Sequence, residues 1–401
     1  IIASTLFLSD IPATLFVPFL SFFAENPGAN PYQHFFELGI LKSFPYPALM
    51  LFIFGLPFLL FSAINAPEIL SSLDLILLRA PLLLADILML VLLVSLQPAK
   101  KKLILWLYWA SPVVFYINYI HGQLDIIPIL LLLISLLLLF KEKLLGSAVL
   151  LALALATKSH ILIMIPFFLL YIWKRKYGLS SLASFVSALI GVYGLLLLPY
   201  GFSEGFFRLV YLAQEQFRLF DLSISFSAGL AFYVVIAVYL YLVFKAFTLR
   251  KITKNLLLMF IGVTFTILVT LVRPAQGWYV WSVPFLVFFF SRQKPHLQTL
   301  YWAFSALYFV YFFLIPDADI FRVFQLIAPS VAALPTPFAF ISSKAFFGAD
   351  TALGVAFTLL SASLIYIAYL MFKYGIRTSI VFQEKTGIPV IGLAGDSGAG
   401  K

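Results

Sequence analysis

Apolar residues in this chain come in long runs, broken by short polar junctions, and do not alternate as they would in strands. A run of about 20 apolar residues is long enough for a helix to cross the hydrocarbon core of a bilayer. Such runs lie near 77–97, 103–120, 124–140, 144–157, 159–174, 180–199, 226–247, 255–273, 277–291, 299–316 and 351–372. Residues Ile1–Leu8 read as the end of one more. The pattern predicts an all-α polytopic membrane bundle of about 12 transmembrane helices. The stretch 47–64 is also apolar, but Pro47, Gly55 and Pro57 weaken a straight helix there. It is expected as a membrane-embedded hairpin or interfacial helix inside the first external loop.

Composition supports lipid as the solvent. Hydrophobic residues make up 63% of the 401 and charged residues 10%, with a mean hydropathy of +1.07. Soluble domains carry about 45–50% apolar and about 25% charged residues. With no cysteine, disulfides, thiol catalysis and thiolate metal sites are excluded, and four histidines do not suggest a histidine-rich metal centre.

The net charge of +10 raises nucleic acid as a partner, and the layout of the charges argues against it. Basic residues cluster at every second junction: Lys100, Lys101 and Lys102; Lys141 and Lys143; Lys174, Arg175 and Lys176; Lys245, Arg250, Lys251 and Lys254; Arg292 and Lys294; Lys373, Arg377 and Lys385. With Lys401 these are 18 of the 26 Lys and Arg, beside only Glu142, Glu384 and Asp396. The other side takes the remaining 8 basic residues and 12 of the 16 acids, with Asp86 placed mid-span. This is the positive-inside asymmetry, so the basic side is expected in the cytoplasm. The chain is expected as a multi-pass protein of a plasma or inner membrane with a cytoplasmic C-terminus.

The external loops are then roughly 10–76, 200–225 and 317–350. Polar residues near the span ends on that side carry information, because charge at membrane depth is costly. They are Asp10, Arg79, Asp86, His121, Gln123, Asp125, Lys158, His160, Arg273 and Gln276. Asp10 is a candidate base, or else a helix cap. Arg79 and Asp86 share one helix face, where they either neutralise each other through neighbours or serve function. Lys158, in the break ATKSH, suits a phosphate or simply snorkels. The Arg273 fork suits a lipid phosphate, with the aromatics after it reading as site or interfacial belt. His121, Gln123 and Asp125 crowd the top of a hairpin. Together these groups suggest a lipid-linked phosphate as substrate. A carboxylate would activate an acceptor and basic groups would stabilise a departing phosphate, so inversion at an anomeric carbon would follow from direct attack.

Several stretches occur in an order that resembles the GT-C integral-membrane glycosyltransferases using polyprenyl-phosphate sugars. They are SD at 9–10, NPYQHF at 30–35, FPYPALMLF at 44–52, LLRAPLLLADILML at 77–90, NYIHGQLDIIP at 118–128, LATKSHILIMIPFF at 155–168 and RPAQGWYVWSVPFL at 273–286. The first series is similar to that of GPI mannosyltransferase I and of bacterial polyprenyl-phosphate-mannose enzymes. The resemblance covers about residues 1–290 and implies a GT-C-like domain over 1–375, with interfacial helices in its first external loop. It implies transfer of a hexose, with mannose the first expectation, from a polyprenyl-phosphate donor to a glycan or lipid acceptor at the extracytoplasmic face. It places Asp10 as the base, one acid where GPI mannosyltransferase I has a DxD pair. Arg79, His121, Lys158 and Arg273 would hold the donor phosphate, with Gln123 and Gln276 on the same turns and Asp125 orienting sugar or acceptor. Asp125 stands where many relatives have asparagine, and Arg273 where several have histidine. No cofactor beyond the donor lipid is implied, divalent metal is left open, and no metal ligands are assigned.

The last residues, 395–401, read GDSGAGK after the β-branched run 388–394, as in a phosphate-binding loop. This resembles the start of a uridine kinase-like domain over 386–401, with Gly395, Gly400 and Lys401 as nucleotide-binding residues. ATP and magnesium would concern only the rest of that domain. Both chain ends read as cuts in a longer protein. Two rival readings stand beside the transferase: a lipid or sugar transporter or flippase, and a membrane anchor without catalysis. Membrane lipids are expected partners in each.

Overall fold

The structure, a computed structural model, describes residues 7, 11–62, 72–315, 322–324, 328–332, 334–344 and 348–377. Asp10, the segment 386–401 and its Gly395, Gly400 and Lys401 lie outside the described residues.

Helix after helix begins where the sequence supplies a start signal. Proline occupies the first turn of helices Pro31–Glu37, Pro112–Phe115, Ile165–Lys174, Val283–Phe290 and Pro295–Phe313, where its missing N–H costs no bond. Asn30 caps the first of these by accepting from the Tyr32 and Gln33 amides at 3.0 and 3.2 Å. Thr253 caps Lys254–Leu271 through the Leu256 amide.

Four helices are long and apolar enough to cross a membrane: Asp74–Leu96, Leu179–Leu197, Lys254–Leu271 and Ala349–Arg377. A fifth crossing would be Pro98–Trp109 with Pro112–His121, bent by 54° at the break before Pro112. Length and composition alone do not give the expected twelve among the described residues. Several expected spans form shorter helices: Ile126–Phe140 has 15 residues, Leu144–Leu155 has 12 and Val234–Thr248 has 15. At about 1.5 Å per residue such helices fall short of a core about 30 Å thick. The expected span at 226–247 also starts later. Ser223–Ser225 and Ala231–Tyr233 pair as a small antiparallel hairpin, because Ser225, Ser227 and Gly229 favour a turn over a helix start. The stretch expected as hairpin or interfacial helix is one helix, Ala48–Ser62, continuous through Pro57 and packed on Val17–Glu25.

Helix Lys254–Leu271 is the central column: 78% of its apolar window is buried, against 11% for Leu179–Leu197 at the periphery. Its threonines cause no polar defect, since Thr264, Thr266 and Thr270 each bond the carbonyl four residues back. The outward faces stay apolar, with Leu84, Leu88, Val91, Ile190, Phe244 and Leu359 exposed. Faces of that kind suit acyl chains and not water.

Side-chain contacts knit the basic junctions into one end of the bundle. Gln97 donates to the Phe288 carbonyl at 3.1 Å, and Arg292 donates to Asn255 Oδ1 at 3.0 Å. Lys254 sits 5.7 Å from the Phe140 ring centre and Lys174 lies 5.2 Å from that of Phe247. The other ends of the same helices meet elsewhere: Gln216 donates to Ser159 Oγ, Arg218 to the Arg273 carbonyl, and the Gly205 amide to Gln33 Oε1.

Asp86 organises the bent pair. Tyr108 donates to its Oδ1 at 2.7 Å, Asn118 to the same oxygen at 3.0 Å, and Tyr119 to Oδ2 at 2.5 Å. Tyr108 belongs to the first limb and Asn118 and Tyr119 to the second, so one carboxylate on helix Ser72–Leu96 holds both. Asp86, read in the sequence as either neutralised with Arg79 through neighbours or functional, is met here by three neutral donors. The Arg79 guanidinium donates to the Phe7 carbonyl at 2.5 Å. Replacing Asp86 with alanine strands two buried donors and the half-buried Tyr119 and should cost roughly 3 kcal/mol, whereas Asp86→Asn keeps one acceptor and should cost about 1 kcal/mol. Thermal unfolding of both variants in detergent, followed by tryptophan fluorescence, checks that ranking.

Candidate functional site

Lys158 and Asp125 are brought together from two helix breaks. Lys158 lies between Leu144–Leu155 and Ser159–Met164 in extended backbone. Asp125 is the residue before helix Ile126–Phe140, whose N-terminal partial charge favours a carboxylate. Lys158 Nζ stands 3.1 Å from Asp125 Oδ1, as an ion pair and not a directed hydrogen bond, with Asp125 fully buried. Lys158 therefore does not snorkel, as one sequence reading allowed. It also lies 4.0 Å from the Tyr46 ring centre, a cation–π contact.

Gln123 completes the cluster, donating to Asp125 Oδ2 at 2.5 Å and to the Tyr46 hydroxyl at 3.1 Å. Two glycines make this possible. Gly122 turns the chain at the end of the second limb with φ +71°, and a Cβ on Gly277 would fall 2.1 Å from Gln123 Cγ. The segment between helices Pro31–Glu37 and Ala48–Ser62 supplies Tyr46, which is held by Tyr32 Oη donating to the Tyr46 carbonyl at 2.8 Å. Burial pushes the Tyr46 phenol well above its usual range, and the Asp125 charge adds to that, so it stays a neutral hydroxyl at physiological pH.

Two adjoining cavities flank the cluster. One, of about 320 Å³, is walled by Gln123, Lys158, His160, Trp278 and Trp281 among largely apolar neighbours. Part of its wall is a stack, Trp278 on Trp281 at 4.9 Å and Trp281 on His160 at 4.0 Å, with Arg218 behind it over Trp278 at 5.2 Å. Both buried ring nitrogens of His160 lack a hydrogen-bond partner among the described residues. The second cavity, of about 700 Å³, takes His121, Arg218, Asp221, Arg273 and Gln276. Ile11, Lys42 and Ala275 line both. The larger cavity thus has three cationic side chains, Lys42, Arg218 and Arg273, against the carboxylate of Asp221. Gln276 is fixed there by Tyr116 Oη donating to its Oε1 at 2.5 Å and Tyr308 Oη donating to its carbonyl at 3.0 Å. His121 lies parallel to the Tyr116 ring.

Of the residues singled out in the sequence, Gln123, Asp125 and Lys158 touch one another, and His121, Arg273 and Gln276 line the neighbouring cavity. Lys158 and Arg273 do not share one cavity, as a single phosphate pocket would require. Arg79 is on neither wall. Asp10 lies outside the described residues, and Ile11, which follows it, lines both cavities. Lys42, Tyr46 and Arg218 were missed as site residues. Tyr46 had a signal in FPYP, and Lys42 and Arg218 were among the few cations assigned to the external side. Among the described residues no three His, Asp or Glu side chains gather where they could hold a metal ion. Neither a family model nor a curated protein matches the chain.

Lys158→Met leaves the Asp125 carboxylate buried without its cation and should destabilise by about 3–5 kcal/mol, while Lys158→Met with Asp125→Leu should recover much of that. Unfolding midpoints of the single and double variants decide it; equal losses would show that the pair is not coupled. Gly277→Ala should cost about 1–3 kcal/mol by overpacking Gln123. Gly191→Ala, where a Cβ meets nothing within 4 Å inside helix Leu179–Leu197, should show no loss and a gain of up to about 1 kcal/mol in the same melt.

Proposed function

We propose that this chain is a GT-C-type integral-membrane glycosyltransferase that moves a hexose, mannose first among candidates, from a polyprenyl-phosphate donor to a glycan or lipid acceptor. The observation that carries this reading is the pair of adjoining cavities sharing Lys42. One is cationic and the other aromatic and apolar, at the bundle end opposite the basic junctions. A sugar phosphate on an isoprenoid chain is an amphiphile that needs both compartments side by side. This reading takes about 12 crossings, with the shorter apolar helices spanning a locally thinned bilayer. The basic end faces the cytoplasm by the positive-inside rule and the cavities face the other side.

Chemically, an acceptor hydroxyl attacks the anomeric carbon, its proton passes to a carboxylate, and the bond from that carbon to the phosphate oxygen breaks with inversion. Asp10 is the proposed base on the strength of the sequence resemblance. Arg218, Arg273 and Lys42 are the proposed phosphate partners, since guanidinium forks match phosphate oxygens. Lys158 is already paired with Asp125, so it adds less net charge than the sequence suggested. It keeps N–H donors for a second acceptor. Asp86, placed mid-span where a transporter would carry a polar residue, is engaged by three neutral donors.

Protein reconstituted in lipid and given radiolabelled polyprenyl-phosphate mannose with a panel of acceptors should transfer the sugar. Asp10→Asn should lose about 100-fold or more. Arg273→Ala should lower kcat as the leaving phosphate loses a donor. Undiminished transfer by Asp10→Asn sinks that residue as base. Movement of the lipid across the bilayer with no transfer to any acceptor points to a flippase instead.

A further inference from the structure

A third cavity lies at the basic end, away from both compartments described above. It has a volume of about 290 Å³, near the lower edge of the roughly 300–1,000 Å³ usual for ligand sites. Its floor is buried and apolar: Leu258 and Met259 of the central helix, Phe285, and Met371 of helix Ala349–Arg377. Its mouth is polar and exposed, with Arg292 and Tyr374. No carboxylate lines it.

Arg292 is arranged as a receptor for an anion. Its guanidinium lies 3.9 Å from the Phe288 ring centre and donates through Nη1 to Asn255 Oδ1 at 3.0 Å. Stacking and that one bond fix the plane of the fork. A guanidinium carries five N–H donors, and Asn255 is the one hydrogen-bond partner of this guanidinium among the described residues. The surrounding junctions carry Lys251, Lys254, Lys294 and Lys373, so the local field also favours an anion.

We propose that this cavity binds an anionic glycerophospholipid, with the phosphate on Arg292 and the first part of an acyl chain on the Met259–Met371 floor. The volume suits a headgroup region and the start of a chain, and the floor has no use for a soluble ion. Basic pockets between membrane helices recognise lipid phosphates on these terms. The proposal does not depend on what the opposite end of the molecule does.

The test uses the purified full chain in a mild nonionic detergent, with bound lipids counted by native mass spectrometry. Dioleoyl phosphatidylglycerol should bind about tenfold tighter than dioleoyl phosphatidylcholine, and Arg292→Ala should remove about that factor, as loss of a charged hydrogen bond implies. Arg250→Ala, at the same end but not on the cavity wall, should leave binding unchanged. Unfolding midpoints establish that both variants are folded. Three results overturn the proposal: Arg292→Ala retaining phosphatidylglycerol, Arg250→Ala losing as much as Arg292→Ala, or millimolar inorganic phosphate displacing the lipid. The last would make the ligand a soluble anion.

Discussion

A charge inside an apolar bundle has to be met by a partner, and here that requirement holds the two limbs of a bent pair in place. Asp86 draws the phenols of Tyr108 and Tyr119 and the amide of Asn118 onto one carboxylate. That fixes both limbs of the bent pair against helix Ser72–Leu96. The second limb ends at His121, so the bend determines where Gly122 and Gln123 emerge. Gln123 then reaches Asp125 and Tyr46, and Asp125 reaches Lys158. Each step depends on the one before it. A fault at Asp86 should therefore be felt at Gln123, although neither side chain contacts the other.

The parts of the fold legible in the sequence were those set by local composition. The apolar runs, the alternation of basic junctions and the break at ATKSH are all local signals, and the basic junctions among the described residues meet through side-chain contacts. Helix length was less legible. An apolar run shows that a segment avoids water, but not whether it stays helical throughout, and 226–233 left the helix for a hairpin because serines and a glycine intervened. The site was legible only in pieces. Lys158 and Asp125 were each noticed, yet their pairing joins two breaks that sequence spacing cannot relate. Lys42 sits in a turn and Arg218 opens a three-residue 3-10 helix, segments too short to carry a periodicity, and only folding these connections onto one end brings both to the cavity wall.

The pairing of Lys158 changes how the site's charge should be counted. An ammonium 3.1 Å from a buried carboxylate presents little net field to a ligand. Its value lies in holding Asp125, Gln123 and Tyr46 in one arrangement. The attraction for an anion falls instead to Lys42, Arg218 and Arg273, which face open space with Asp221 as their one carboxylate neighbour on the cavity wall. Arg218 links the compartments, lying over Trp278 on the aromatic side and donating to the Arg273 carbonyl on the cationic side. A ligand bridging both would press on Arg218 from two directions. Under the glycosyl-transfer reading, that makes Arg218 the residue most sensitive to whether the lipid chain and the phosphate belong to one molecule. A water-soluble sugar phosphate would engage its guanidinium and leave the indole stack bare, whereas a lipid-linked one would use both.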